Sequence, residues 1–398
     1  VNQTNLSRRF LLGQLAAAPA VTRALGTQNF PIRRDYLAEA EHIPAFWQGS
    51  YDEVNRFLDT RVHKGEVRII GRSAGGRPIR ASFYGEPRKG KGTTTFSGAL
   101  GFGDSRAYTG PDHARKVYVA LCGVHGGEFE GMMGAVNLLS VIETGADLRG
   151  KTWPGLTEVA KSLDRIIVIP IANPDGRARV PLRMLKHYGT DYTVHEYFNT
   201  GAKPDGTIIG WPQCKEHIPL DFSTTQFPGG YPNDAGVNLM HDDFFGARQP
   251  ETQALFDLAA AERPDLIMNM HTGAQFMHPL KPFVEPALMP AWEQLYRKVM
   301  SGLTKAGLAR TDDPVAEANP ARERQSAYNL DTALNLHCGA LSVVVESPAH
   351  DYSPAERIGK PFRQTPDLLL DAQMVCHENA MRFLAETGGR TMWTQKKR

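Results

Sequence analysis

In the stretch "GVHGGEFEG" (123–131) a histidine precedes a glutamate by three residues, so His125 and Glu128 can present a nitrogen and an oxygen to one point. Alone, such a pair is equally a solvated turn. Two further placements separate these readings. His271 closes the apolar run "DLIMNMH" (265–271), and Glu346 stands near the end of "ALSVVVES" (340–347). In layered α/β folds, ligands bind beyond the carboxyl ends of the strands, and His125 also follows an apolar run, "HARKVYVALCG" (113–123). Two imidazoles and one carboxylate are a ligand set for a catalytic zinc with one open coordination position. His125, Glu128 and His271 supply that set, for one zinc per chain.

The elements that must carry these residues are legible from their periodicity. "EVRIIG" (66–71) and "PIRASFYG" (78–85) read as strands joined by the turn "RSAGGR", and "RIIVIPIAN" (165–173) as a buried strand. Helices are expected over about 128–142, 250–262 and 368–387, and a long Gly-, Pro- and aromatic-rich stretch (177–236) has no clear period. Alternating strands and helices imply an α/β layer architecture. No internal repeat is present.

Composition narrows the chemistry. A 398-residue chain that is 41% hydrophobic can bury a sizeable core. A net charge of +2, with both signs spread along the chain, leaves no footprint for nucleic acid or an anionic membrane surface. Cys122, Cys214, Cys338 and Cys376 show no C-x-x-C spacing, which argues against a zinc ribbon or thioredoxin-type site and leaves disulfide pairing open. The N-terminus has the layout of an export signal: paired Arg8 and Arg9, a short apolar run (10–18), then Ala-Pro-Ala at 18–20. That run is too short to span a membrane. The expected organisation is an export signal of twin-arginine type over 1–28, a catalytic domain over 29–390 and a basic tail over 391–398, in a periplasmic or extracellular protein.

Four separated stretches, in order, resemble the zinc carboxypeptidase family: "IGRSAGGRPI" (70–79), "GVHGGEFEG", "NPDG" (173–176), and "MHTG" (270–273) with "VVVES" (343–347). The resemblance implies a mixed, twisted sheet of roughly eight strands between helices. It also implies an amide hydrolase in which Glu346 is the general base. The family's oxyanion-supporting arginine follows its "NPDG" turn. Here "RARVPLRMLKHY" (177–188) offers Arg177, Arg179, Arg183 and Lys186, with Lys186 in the best-matching register and Arg183 beside it. The substrate-closing tyrosine corresponds to Tyr328. Cys122, His337, His350 and His377 lie near the same strands but lack spaced partners.

One segment departs from the family. Where members carry Gly-Val-Asp-x-Asn-Arg, whose Asn-Arg pair holds a peptide's terminal carboxylate, this chain reads "GVNLMHDDFF" (236–245). Asn238 replaces the aspartate that orients the first zinc histidine, and Met240 and His241 replace the anchor. The expected substrate is therefore a peptide or an acylated amino acid, as in the succinylglutamate desuccinylase and aspartoacylase branch. Two alternatives are a conventional carboxypeptidase anchored by Arg248 or Arg324, and a non-catalytic exported binding protein of the same fold. The export expectation has a direct check. Replacing Arg8 and Arg9 together with lysine traps the protein in the cytoplasm, as read by cell fractionation.

Overall fold

Strands that read as unbroken apolar runs belong inside a sheet covered on both faces, and four such runs form its centre. The computed structural model describes residues 30–90, 92–101, 104–215 and 218–394; the expected export signal lies outside them. The strands are β1 (Glu66–Arg72), β2 (Pro78–Gly85), β3 (Val117–Cys122), β4 (Arg165–Ile169), β5 (Leu266–Thr272), β6 (His278–Pro279) and β7 (Leu341–Ser347). They lie in the order β1-β2-β4-β3-β5-β7-β6. The β4-β3, β3-β5 and β5-β7 pairs are parallel, and the pairs at either edge are antiparallel. The main sheet thus has seven strands, where the family resemblance suggested about eight; a separate two-stranded ribbon joins Glu356–Arg357 to Lys360–Pro361.

Every residue of β3, β4 and β5 is buried. Alternation along them feeds two cores. Tyr118, Ala120, Met268, Met270 and Val343 face helices Phe129–Thr144, Met289–Lys305 and Pro366–Thr387. Val119, Leu121, Ile267 and Val344 face helices Pro250–Glu262 and Leu330–Cys338. The expected strand over 165–173 stops at Ile169 because Pro170 has no N–H to donate to a ladder. The four residues beyond it form the loop into "NPDG". The stretch over 177–236 is irregular except for short helices, of which Thr193–Thr200 bears on the site. All four cysteines are free.

The first and third family-like motifs turn out to hold each other. Asp175 of "NPDG" is fully buried, and it accepts hydrogen bonds from the Ser73 hydroxyl at 2.5 Å and the Gly75 N–H at 2.8 Å. It also pairs with Arg77 at 2.8 Å, which bridges on to Asp234. Arg179 closes the cluster on the other oxygen of Asp234 at 2.7 Å. The clasp binds the β1–β2 turn to the loops that surround the site. Removing Asp175 leaves Arg77 paired with Asp234 but takes the acceptor from the Ser73 hydroxyl and from the Gly75 and Asp234 N–H groups. Each buried donor left unpaired costs about 1–3 kcal/mol, so Asp175→Ala is expected to destabilise the fold by at least about 2 kcal/mol, as measured by chemical denaturation.

Candidate metal centre

Three parallel strands end side by side, and the candidate residues sit at those ends. β5 and β7 pair in a register that sets His271 directly beside Glu346. His125 follows β3, the other neighbour of β5. Glu128 precedes the helix Phe129–Thr144 at its N-cap position. The loop carrying His125 and Glu128 is folded so tightly that a Cβ at Gly126 would stand 2.1 Å from the Arg177 nitrogen, and one at Gly127 would stand 2.3 Å from Asn199 Oδ1. Glycine is required at both positions by this close approach.

The three expected ligands converge. Nδ1 of His125 lies 3.2 Å from Nδ1 of His271, and Glu128 places Oε1 at 2.7 Å from the first and Oε2 at 3.0 Å from the second. Among the described residues these three form the one group of His, Cys, Asp and Glu side chains whose ligand atoms all lie within 4.8 Å of one another. The spacings are close to the edges of a tetrahedron around zinc, about 3.3 Å for bonds of about 2.0–2.1 Å. The far nitrogen of His125, Nε2, donates to Asn238 Oδ1 at 3.1 Å. That bond fixes the proton on Nε2 and leaves the Nδ1 lone pair for a metal. Asn238 thus takes the orienting part that the resemblance implied, as a neutral amide. The residues fit a zinc ion.

Charge in the cluster follows from burial and proximity. Burial works against ionisation of Glu128, yet the imidazoles of His125 and His271 hold it well below the usual carboxylate range. Burial also opposes charge on His271, but the Glu128 carboxylate reverses this and raises it to about 9. His125 is lowered by burial. Burial pushes Glu346 up to about 7, tempered by His271, and its buried Oε2 has no hydrogen-bond partner among the described residues.

The remaining expected residues divide. Met240 is buried and its sulfur accepts from Asn269 Nδ2 at 3.6 Å. His241 is pushed down to about 4 by burial, then by Lys215, His125 and His271, so it is neutral at pH 7. Asp242 and Asp243, the next two residues, are engaged by backbone N–H groups: Asp242 accepts from Asp243 and Gln249, and Asp243 from Phe245 and Gly246. Tyr328 packs on Phe244 and Phe245, with ring centroids 6.0 and 5.9 Å away.

The basic segment supplies no residue bonded to the cluster. Arg177 donates to the carbonyls of Gly49, Val180 and Leu182. Arg183 is drawn instead to Glu53 at 3.0 Å, beside the helix Tyr51–Arg61, and Lys186 is exposed. Arg248, an alternative anchor, bonds Phe244 O and Gln253 and lies over the Phe256 ring. Arg324 is exposed.

Tyr231, which no local spacing ties to the site, stacks on His125 with centroids 3.7 Å apart and planes at 16°. Its own backbone carbonyl accepts from Asn173 Nδ2 at 3.0 Å, so "NPDG" also braces this ring. Ligand loss follows from this geometry. His125→Ala and His271→Ala are expected to abolish zinc binding, Asn238→Ala to weaken it about 10–100-fold, and Glu346→Ala to leave it intact. Metal analysis with a competing chelator reads all four.

Comparison with known proteins agrees with this geometry. The zinc carboxypeptidase family matches residues 57–328, a span that holds the three ligands and ends before Glu346. No curated protein matches the chain. Among solved structures, a metallo-carboxypeptidase from Burkholderia cenocepacia aligns at 15% identity and a TM-score of 0.51, covering 84% of this chain and 69% of that one. Carboxypeptidase A from Helicoverpa armigera aligns at 14% identity and a TM-score of 0.47, over 86% of this chain and 75% of the other.

Proposed function

This chain belongs to the zinc carboxypeptidase family, and from that premise we propose that it is a zinc-dependent hydrolase of an amide bond, with Glu346 as general base. The observation that carries the reading is the placement of Glu346: half-buried, beside His271 in register, with its buried Oε2 unpartnered among the described residues. His125, Glu128 and His271 would hold the metal. A bound zinc supplies Lewis acidity toward a carbonyl oxygen and activates water for attack near neutral pH. Glu346 accepts the proton of the attacking water on its free oxygen and hands it to the leaving amine. Asn238 and Tyr231 keep the His125 ring in one orientation. Tyr328, on the aromatic patch with Phe244 and Phe245, is the candidate to close over the substrate.

The substrate is read from what the anchor segment lacks. An arginine grips a carboxylate through two parallel charge-assisted bonds. Met240 and a neutral His241 cannot do so, and Arg248 is engaged elsewhere. The substrate class is therefore a peptide or acyl-amino-acid amide whose cleavage does not depend on a free terminal carboxylate. Export of the protein, from the Arg8-Arg9 signal, would set that substrate outside the cytoplasm.

Matched substrates that differ only in a free or amidated terminal carboxyl test this reading. Their kcat/KM values in the parent are expected to agree within about tenfold, since one lost charge-assisted contact accounts for about 1.5–3 kcal/mol. His241→Arg is expected to gain preference for the free acid. A parent preference of about a hundredfold would refute the reading of the anchor, and zinc-loaded protein inert on every amide would refute the hydrolase itself.

A further inference from the structure

The strand "LIMNMHT" is apolar up to His271 except at Asn269, a residue disfavoured in a fully buried strand. Side chains alternate along a strand, so Asn269 and His271 project from the same face of β5. A buried amide at that place needs partners.

The two histidines of the cluster differ in how their second nitrogen is satisfied. His125 gives Nε2 to Asn238. The Nε2 of His271 is buried and has no hydrogen-bond partner among the described residues. Its Nδ1 is turned to Glu128, where the lone pair would serve a metal. A neutral ring that binds through Nδ1 carries its proton on Nε2, so Nε2 is a donor that requires an acceptor.

An acceptor with the opposite need lies two residues back. Oδ1 of Asn269 is likewise buried and without a partner among the described residues. The amide's orientation is fixed from its other end: Nδ2 donates to Oδ2 of Asp331 at 2.9 Å and to the Met240 sulfur at 3.6 Å. Asp331 is buried in its turn and takes the Ser342 hydroxyl on Oδ1 at 2.6 Å. Burial pushes the Asp331 carboxyl up, and Ser342 and Asn269 oppose this; in either protonation state one of its oxygens accepts from Nδ2. Same-face neighbours stand about 6.4–6.8 Å apart along a strand. One water making two hydrogen bonds of about 2.7–3.0 Å spans such a gap between side chains that rise side by side.

We propose that Asn269, held by Asp331 and Met240, is the positioning residue for His271: its Oδ1 accepts, through one buried water, the Nε2 proton that His271 carries when Nδ1 serves a metal. Asn269 stands to His271 as Asn238 stands to His125. The inference rests on the zinc site in the reading above and is independent of which amide that site cleaves.

Zinc affinity of the folded protein, measured by chelator competition, reads this link without any substrate. Asn269→Leu keeps the bulk of the side chain and removes the acceptor, and it is expected to weaken zinc binding about 10–100-fold. Asn269→Ala leaves space for a further water, so its loss is expected to be smaller than that of the leucine variant. A purely structural role for Asn269 would lower the denaturation midpoint of both metal-free variants and leave the zinc affinity of the folded protein at the parental value. The zinc-loaded parent gives a check that needs no variant: a high-resolution crystal structure is expected to show one ordered water within hydrogen-bond distance of both His271 Nε2 and Asn269 Oδ1. Parental zinc affinity in Asn269→Leu, or Nε2 paired with any group outside this link, would overturn the proposal. A parent that binds no zinc would instead overturn the zinc reading on which it stands.

Discussion

Two imidazole nitrogens 3.2 Å apart, both facing one buried carboxylate, need a positive charge among them. Without one, converging lone pairs would lie in a medium too weakly polar to screen them. Much of the surrounding architecture serves to hold this arrangement. The parallel register of β3, β5 and β7 brings His125 and His271 to neighbouring strand ends and sets Glu346 beside them. The glycines at 126 and 127 let the Thr193–Thr200 helix and the "NPDG" turn press on the ligand loop from two sides. Asn238 then selects the tautomer of His125 with a single hydrogen bond.

The motifs that resemble the family do two different jobs. His125, Glu128 and His271 converge, with Glu346 beside them. "RSAGGR" and "NPDG" contribute no ligand; they meet through Asp175, Arg77 and Asp234, and Asn173 extends the contact to Tyr231, the ring stacked on His125. A motif of this kind is needed for the site because the clasp holds the loops that bring distant residues together. Its buried carboxylate accepts three hydrogen bonds and an ion pair, which compensates the desolvation that burial imposes.

Against this framework, the segment from Asn238 to Phe245 meets the cluster at one residue only. Asn238 still serves His125, while the two positions beyond it offer a thioether and a neutral imidazole. The acids that follow are engaged by backbone N–H groups. Tyr328 joins Phe244 and Phe245 in an aromatic patch beyond it.

The members of the cluster and the core strands were legible in the chain itself because each is a local signal: a fixed spacing in His125-x-x-Glu128, or a polar residue ending an apolar run, as at His271 and Glu346. Strand and helix periods are local in the same way, and the helix over 250–262 matched its expected limits. The short edge strand β6 was missed because two residues carry no period; only its pairing with β7 defines it. Charge partners were not legible either. Along the chain Lys186 holds the best-matching register with Arg183 beside it, and only the folded structure shows Glu53 drawing the arginine aside while the lysine meets solvent. Tyr231 and Asp175 belong to the same class. A side chain's partner is set by which backbones the packed core brings within a few ångströms, and sequence separation says nothing about that distance.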